Sequence, residues 1–174
     1  DLKIIQGGLP AIARNNGAKL AKTKYILLLD ADIFITDQTL LTKAVKTILK
    51  KDKFLLTTKF RTTTGEYNYV FKTFDIIQKL IKPITPFALG GFMLVDRNIF
   101  NTYGGFNEEA KVAEDYLFSK QIKPNKFYVS NDVVYTPDRR FKNKGILYMT
   151  KLMVKSFLNR NNKKFFINDN TYWE

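Results

Sequence analysis

The feature that most constrains this fold is a short apolar run that stops at a carboxylate. Tyr25–Leu29 contains only apolar residues and is followed directly by Asp30-Ala31-Asp32. An apolar run of this length without polar alternation is typical of a strand that is buried on both faces. Such a strand needs helices on each side of its sheet, which indicates a layered α/β domain.

The rest of the sequence alternates between predicted strands and predicted helices. Apolar runs predict further strands at residues 2–5, 54–60, 92–95 and 127–135. Helical patterns are predicted at residues 11–22, 69–81, 113–122 and 145–157, and after a cap at Thr36 or Asp37. The helix that follows this cap has a predicted core-facing stripe of Leu41, Ala44, Val45, Ile48 and Leu49. The alternation predicts a mostly parallel sheet with helices on both faces.

The sequence contains no Cys and no His, and this narrows the chemistry of any site. Disulfides, thiolate or imidazole metal sites, and Ser-His-Asp or Cys-His nucleophiles are excluded. Acid–base catalysis must therefore use Asp, Glu, Lys or Tyr. A bound metal would be a hard ion with oxygen ligands, such as Mg²⁺ or Mn²⁺.

Positive charge is in excess, with 29 Lys and Arg against 16 Asp and Glu, for a net charge of +13. Such a surplus favours anionic partners, namely nucleic acid, phosphorylated small molecules or an anionic membrane face. The lysines are spread along the chain, which is equally compatible with a charge that serves solubility alone. No apolar run approaches the roughly 20 residues that span a bilayer.

Two carboxylates, Asp30 and Asp32, follow the first apolar strand. Ligands of open α/β sheets bind beyond the carboxyl ends of strands, so this pair is a candidate site. Two carboxylates one residue apart suit a divalent cation that also holds phosphate oxygens. The structural alternative is that Asp30 caps the strand and Asp32 belongs to an Asx turn.

A second acidic pair, Glu114 and Asp115, lies at the start of a predicted helix. The positive end of a helix favours the ionised carboxylate, which can accept a proton from a hydroxyl within hydrogen-bond reach. The alternative is an ordinary acidic charge at a helix N-terminus, which on these two residues alone is the preferred interpretation.

A basic pair and a glycine pair complete the candidate set. Arg139 and Arg140 follow a predicted strand and can bind a diphosphate bidentately, or form a solvated basic loop. Gly90 and Gly91 allow close backbone approach to a ligand, or form a turn that leads into the next strand.

Taken in order, these elements resemble the family 2 glycosyltransferases, which have the GT-A fold. The resemblance covers nearly the whole chain and depends on the order and spacing of short motifs. The motifs are Ala13-Arg14-Asn15-Asn16-Gly17, Leu27-Leu28-Leu29-Asp30-Ala31-Asp32, Gly90-Gly91-Phe92, Gly104-Gly105-Phe106-Asn107-Glu108, Ala113-Glu114-Asp115-Tyr116-Leu117, and Arg139-Arg140-Phe141 with Gly145.

The resemblance implies a metal-dependent, inverting transfer of a sugar from a nucleotide-diphospho-sugar to an acceptor hydroxyl. On the donor side, Asp30 would lie near the ribose and Asp32 would bind Mg²⁺ or Mn²⁺ at the diphosphate. Arg14 would support the nucleotide or phosphate side. Arg139 or Arg140 would counter charge on the departing diphosphate.

For the sugar and the acceptor, the resemblance implies that Gly90 and Gly91 line the donor or acceptor sugar. Asp115 would be the catalytic base, with Glu114 beside it on the acceptor side. Some related enzymes have a His as a further metal ligand, and here only Asp132, Asp138 or water takes that place. The acceptor would be a sugar or a lipid-linked molecule, and no nucleic acid partner is expected.

Many relatives open with a strand-helix-strand half that holds the nucleotide base, and we expect no counterpart of it within residues 1–174. We therefore expect residues 1–141 to be the larger, C-terminal part of a GT-A domain that is incomplete at the N-terminus. Residues 142–174 are expected to form an amphipathic helix and tail that pack on the domain or on a membrane surface. A cytoplasmic location, at the membrane face in polysaccharide or glycolipid synthesis, would suit such an enzyme.

Two other functions compete with this interpretation. The Leu27–Asp32 segment also resembles the nucleophile strand of haloacid-dehalogenase-type phosphatases, although Thr57 and Lys59 follow too soon to supply their later motifs. The charge and the aromatic content also permit a basic, non-enzymatic nucleic-acid-binding module, for which no recognisable motif is present.

Overall fold

In the computed structural model, which describes residues 2–168, four strands form one open sheet. Their bounds are Tyr25–Leu29 (β1), Leu55–Thr62 (β2), Phe92–Asp96 (β3) and Phe127–Thr136 (β4). The strands lie side by side in the order β1-β3-β2-β4. β1 is therefore an edge strand with alternating burial and an exposed Leu29, not the strand buried on both faces that its apolar run predicted, whereas β2 and β3 are buried along most of their length.

The strands are connected by helices of very different length. The helices are Pro10–Lys19 (α1), Leu40–Lys50 (α2), Asn68–Ile81 (α3), Arg97–Thr102 (α4), Glu114–Ser119 (α5), Arg139–Lys144 (α6), Ile146–Leu158 (α7) and Lys163–Asn168 (α8). A 3₁₀ turn at Pro124–Lys126 leads into β4. The helices α4, α6 and α8 have six residues each, which is too short for a periodic sequence signal, and they were not predicted.

Strand direction brings several chain segments to one edge of the sheet. β3 is antiparallel to both of its neighbours, whereas β1, β2 and β4 share one direction. Leu29 at the end of β1 therefore lies opposite Phe92 at the start of β3. The α/β class is confirmed, but the pairing is mixed rather than mostly parallel, because β3 is inserted between β1 and β2.

Side chains at alternate strand positions pack into two cores, one on each face of the sheet. The first core combines Ile26 and Met93 with side chains of α1, α4 and α5. The second core combines Leu56 and Leu94 with side chains of α2, α3 and α6. Helices therefore cover both faces of the sheet, as predicted.

Three local predictions are wrong. Residues 2–5 form no strand, because they are exposed and have no partner strand in the described part of the chain. In α2, Leu40 is buried, while Leu41 and Leu49 of the predicted stripe are exposed. The helix begins three residues later than the proposed cap at Asp37, whose carboxylate instead accepts from the N–H of Thr39 at 2.8 Å.

The predicted C-terminal amphipathic helix corresponds to α7. Its Met149 packs against the second core, and its Leu152 packs against a third apolar cluster that includes Phe166 of α8. Of the helices described, none is both long enough and apolar enough to cross a bilayer. The last six residues of the predicted 142–174 segment lie outside the described residues.

Candidate active site

The segments that carry the predicted site residues meet at one edge of the sheet. Asp30 follows the end of β1, and its N–H donates to the carbonyl of Gly91, just before β3, at 3.2 Å. Arg139 follows the end of β4. This edge, at the carboxyl ends of β1 and β4, is where open α/β sheets bind their ligands.

A short backbone bridge explains why Asp32 meets the arginine pair. The backbones of Phe34 and Tyr135 exchange two hydrogen bonds, of 2.8 and 2.9 Å, and so connect the segment after β1 to the C-terminal end of β4. Asp32 Oδ2 then accepts from Nη2 of Arg139 at 2.7 Å. Arg139 and Arg140 are the first residues of α6, not of a loop.

Arg14 on α1 joins the two acidic pairs. Its Nη2 donates to Oδ1 of Asp30 at 2.5 Å, and its Nη1 donates to Oε1 of Glu114 at 2.6 Å. Burial lowers the pKa of Arg14, but the carboxylates of Asp30, Glu114 and Asp115 outweigh it, so the pKa is raised overall. The guanidinium therefore remains charged and holds β1 and α5 at a fixed separation.

Asp115 is held by backbone N–H groups at the start of α5. Its Oδ2 accepts from the N–H of Gly90 at 2.6 Å, and its Oδ1 accepts from the N–H of Tyr116 at 2.7 Å. Ala113, just before α5, has a left-handed backbone with φ of 54°, which turns the chain sharply into the helix. Strained backbone of this kind persists where the surroundings fix it, often at functional sites.

The protonation of Asp115 is unlike that of an ordinary surface carboxylate. Burial, and next the charge of Glu114, raise the pKa of Asp115 to about 7. Arg14 and the N–H groups of Tyr116 and Gly90 act in the opposite direction without cancelling the rise. A carboxylate with a pKa near 7 is suited to accept a proton at neutral pH.

All nine predicted site residues line one cavity of about 460 Å³. They are Arg14, Asp30, Asp32, Gly90, Gly91, Glu114, Asp115, Arg139 and Arg140. Beyond this charged end the cavity continues between α3 and α7, where its lining is apolar, and we call it the apolar cavity. Asp32 and Asp115, which are distant in sequence, therefore share one cleft.

A second cavity of about 880 Å³ runs along β1 and α1, and we call it the strand-edge cavity. Arg14, Asp30, Asp32, Arg139 and Arg140 line both cavities. Glu114 and Asp115 line the apolar cavity and not the strand-edge cavity. We call the five shared charged residues the charged wall, and the candidate base lines only the apolar cavity.

The oxygen ligands at this wall fit a divalent ion that also binds phosphate. Residues 2–168 contain no group of three acidic side chains that could hold a metal alone. Asp30 and Asp32 supply two carboxylates, and Mg²⁺-type sites commonly complete one or two carboxylates with phosphate oxygens and water. Asp132 and Asp138, the predicted further ligands, bind Ser130 and Thr64 instead and line neither cavity.

Asn15, in the motif that also contains Arg14, holds the segment after α4, a role that the motif alone does not predict. Its buried Nδ2 donates to the carbonyl of Phe106 at 2.9 Å and to Oε1 of Glu108 at 2.9 Å. Its Oδ1 accepts from the N–H of Phe106 at 2.9 Å. Asn15 lies at helical spacing from the buried Ala11 and Ala18. A polar residue on this small-residue face of α1 is the sequence feature that indicates a buried hydrogen-bonding role.

A family model described as "Glycosyl transferase family 2" matches residues 6–104, which is more than half of the chain. This chain belongs to glycosyl transferase family 2. The matched range of this family 2 chain includes Arg14, Asp30, Asp32, Gly90 and Gly91. It ends before the acidic pair at the start of α5. Membership in this family rules out the haloacid-dehalogenase family, and Thr57 is buried in β2 with its hydroxyl bonded to the Phe92 carbonyl.

Solved structures share the fold of the family 2 chain at low sequence identity. The mannosyltransferase PcManGT from Pyrobaculum calidifontis, in complex with GDP-Man and Mn²⁺, is 16% identical, with a TM-score of 0.66 over 88% of this chain and 44% of its own. Mannosyl-3-phosphoglycerate synthase from Rubrobacter xylanophilus is 14% identical, with a TM-score of 0.51 over 91% of this chain and 52% of its own. These likenesses confirm the predicted GT-A fold.

The chain spans about half the length of these two structures, or less. Comparison with curated protein sequences gave no match.

Proposed function

We propose that this chain is the catalytic part of a metal-dependent, inverting glycosyltransferase that uses a nucleotide-diphospho-sugar donor. The observation that carries the proposal is the charged wall shared by the two cavities, with Asp115 facing only the apolar cavity. The donor diphosphate would lie at the wall and the acceptor on the Asp115 side. A solved structure with the same fold contains GDP-Man and Mn²⁺, which supports this class of donor.

The proposed reaction is a single displacement at the anomeric carbon of the donor sugar. The acceptor hydroxyl oxygen forms a bond to that carbon as the bond from the carbon to the diphosphate oxygen breaks. The acceptor proton passes to Asp115, and the nucleoside diphosphate leaves with the bonding electrons. Attack from the face opposite the leaving group inverts the configuration, and the transition state has oxocarbenium character.

The chain's own groups would orient both partners. Arg139 and Arg140 would take the charge of the diphosphate, and Arg139 would exchange its bond to Asp32 for a phosphate oxygen. Asp32 would hold Mg²⁺ or Mn²⁺, which would supply charge stabilisation on the leaving diphosphate, and Asp30 would lie near the ribose. Gly90 leaves room beside Arg14 and Asp115, since a Cβ there would lie 3.0 Å from the guanidinium.

The donor site is tested by titrating nucleotide-diphospho-sugars into the protein with and without Mn²⁺, using calorimetry. We expect Mn²⁺-dependent binding, weakened at least tenfold in Asp32→Asn. Asp52→Asn is the matched control, because Asp52 is exposed, lies outside both cavities and has a left-handed backbone that Asn accepts. Equal donor binding by Asp32→Asn and the parent would contradict the role of Asp32, and no binding of any such donor would contradict the function.

The same proposal includes the kind of acceptor and the cellular location of the reaction. A role in cell-surface polysaccharide or glycolipid synthesis, at the cytoplasmic face of a membrane, suits an acceptor that arrives from the apolar side. The positive charge of the chain would assist contact with an anionic surface. The proposal requires no nucleic acid partner.

A further inference from the structure

The apolar cavity has two chemically different ends. One end holds the charged residues around Asp115, and the other lies between α3 and α7. On these two helices the lining side chains are apolar except for Thr150 and Ser156. They include Phe74, Ile77 and Ile81 of α3 and Met149, Met153 and Phe157 of α7.

A purely polar acceptor does not suit this second end. A sugar placed between α3 and α7 would lose its hydrogen bonds to water and find few partners there, which is costly. A hydrocarbon chain has no such requirement and gains from leaving water. The cavity volume of about 460 Å³ is within the range of small-molecule sites.

The apolar end reaches the protein surface between the two helices. Ile77 on α3 and Val154 on α7 both line the cavity, yet they are 44% and 53% exposed. A chain that enters the cavity here can therefore extend out of the protein. Exposed lysines lie close by in the sequence of both helices, at Lys79, Lys151 and Lys155, and would favour an anionic lipid surface.

We propose that the acceptor is an amphipathic lipid whose hydrocarbon chain occupies the apolar cavity between α3 and α7. Its reacting hydroxyl lies at Asp115, and the rest of its chain leaves past Ile77 and Val154. This inference rests on the proposed function, because it assigns the Asp115 side of the charged wall to the acceptor. It chooses between the sugar and the lipid-linked acceptor that the sequence leaves open, and it assigns the hydrocarbon chain a place in the structure.

The binding of the chain is tested without any transfer reaction. Alkyl glycosides of increasing chain length are titrated into the protein below their micelle concentrations, and the dissociation constant is measured by calorimetry. Each added methylene that enters the cavity is expected to tighten binding about fourfold. The gain should stop when the chain is longer than the cavity.

Two adjacent isoleucines provide a matched pair of variants. Ile77 lines the cavity, whereas Ile76 is 62% exposed and does not. Ile77→Glu is expected to weaken binding of the longest alkyl glycoside at least tenfold and to flatten the chain-length series. Ile76→Glu carries the same charge change on the same helix and is expected to bind like the parent.

A second pair on α7 guards against a folding defect in α3. Val154 lines the cavity, and Leu147 on the same helix is 82% exposed and does not. Val154→Glu should reproduce the loss, and Leu147→Glu should not. Circular dichroism and thermal melting are measured for all four variants, and those that retain the parent's melting temperature are compared.

The outcomes separate this inference from the function on which it rests. Chain-length-dependent binding that is lost in Ile77→Glu and Val154→Glu, and kept in both controls, supports the lipid acceptor. Absence of alkyl binding, or equal losses in Ile76→Glu and Ile77→Glu, overturns it. Donor titration of the parent is run in parallel, so that donor binding without alkyl binding leaves the glycosyltransferase proposal intact.

Discussion

At the scale of single residues, the site contains two neighbouring carboxylates whose surroundings differ. Both acids line the apolar cavity, but the Glu114 side chain is 8% exposed and pairs with Arg14, whereas the Asp115 carboxylate accepts from backbone N–H groups. The surroundings of Glu114 therefore suit a structural role, and those of Asp115 suit proton transfer. Roles for acids of this kind follow from their surroundings and not from their residue type.

Asp115→Asn is expected to lower turnover by about 10²–10⁴-fold, because the amide cannot accept the acceptor proton. In the parent, the rate should fall about tenfold per pH unit below pH 7, where Asp115 becomes protonated. A pH profile of initial rates checks both expectations. Unchanged turnover in Asp115→Asn would rule out Asp115 as the base.

The same pKa shift has a consequence for stability. Because the pKa of Asp115 is raised to about 7 in the fold, the folded state binds more protons than the unfolded state between about pH 4 and 7. This group therefore stabilises the fold at low pH, and that contribution is lost as the pH rises towards and through 7. Asp115→Asn loses one of the two backbone N–H bonds at every pH, but it does not titrate, so its stability relative to the parent should rise by on the order of 2 kcal/mol between pH 5 and pH 8. Urea unfolding at the two pH values measures this, and a difference independent of pH would contradict it.

Asn15→Ala is expected to destabilise the fold by about 1–3 kcal/mol, because buried backbone groups of Phe106 lose their partner. Asn16→Ala is the control, since Asn16 makes a weaker exposed contact to the Gln6 carbonyl at 3.3 Å. Chemical unfolding of both variants tests the difference. Equal stabilities would show that Asn15 does not hold the segment at Gly105 and Phe106.

Changing either of the two glycines before β3 to Ala is expected to affect a different property, stability in one case and turnover in the other. A Cβ on Gly91 would lie 2.9 Å from both Ile33 and Phe60, so Gly91→Ala should cost about 1–3 kcal/mol of stability. A Cβ on Gly90 would meet Arg14 and Asp115 at 3.0–3.1 Å, so Gly90→Ala should mainly lower turnover.

Melting curves and initial rates of both glycine variants distinguish these effects. Gly7→Ala is the control, because a Cβ at Gly7 has nothing within 4 Å. If Gly90→Ala keeps full activity, close packing at Gly90 does not position the base.

At the scale of elements, α1 is tied to β1 and α5 through one guanidinium. Arg14→Ala leaves Glu114 buried without its partner and is expected to cost about 3–5 kcal/mol, with loss of donor binding. Adding Glu114→Gln should recover part of the stability, since the unpaired charge is removed. Unfolding of the single and double variants measures this coupling.

Arg61→Ala is the control for the element-scale prediction. Arg61 pairs with Asp75 at 2.7 Å between β2 and α3, with similar burial, but neither residue lines a cavity. This variant should lose stability while retaining donor binding. Loss of donor binding in both arginine variants would show a general folding defect instead of a role for Arg14.

Most of the elements were predictable, and the exceptions have physical reasons. The apolar pattern at Tyr25–Leu29 predicted a strand correctly, whereas residues 2–5 have a similar composition but no neighbouring strand to pair with. A pairing partner is a tertiary property that local sequence does not contain. For the same reason the sequence predicted strands but not the insertion of the antiparallel β3 between β1 and β2.

The candidate site was predictable in membership and less so in geometry. The nine residues were named from motifs, and they line one cavity. The pairing of Arg139 with Asp32 depends on the bridge between Phe34 and Tyr135, and no local sequence pattern predicts that bridge. The apolar extension between α3 and α7 was also missed, because it forms only when two helices distant in sequence are brought together.

At the scale of the whole molecule, donor and metal should stabilise the fold together. A ligand that binds only the folded state adds about 2.7 kcal/mol at 100 times its dissociation constant, or roughly 5–10 °C for a chain of this size. We expect this rise in melting temperature with donor and Mn²⁺, and its loss on addition of a chelator. Asp32→Asn should show a smaller rise. An equal rise with the chelator present would contradict metal dependence.

The charged wall that the two cavities share also bears on the order of events. On the proposed assignment, the donor would lie at the charged wall and the acceptor in the apolar cavity, so a bound donor would not obstruct the path of an acceptor. Neither substrate would then need to arrive first, and the spent nucleotide could depart while the glycosylated product is still in place.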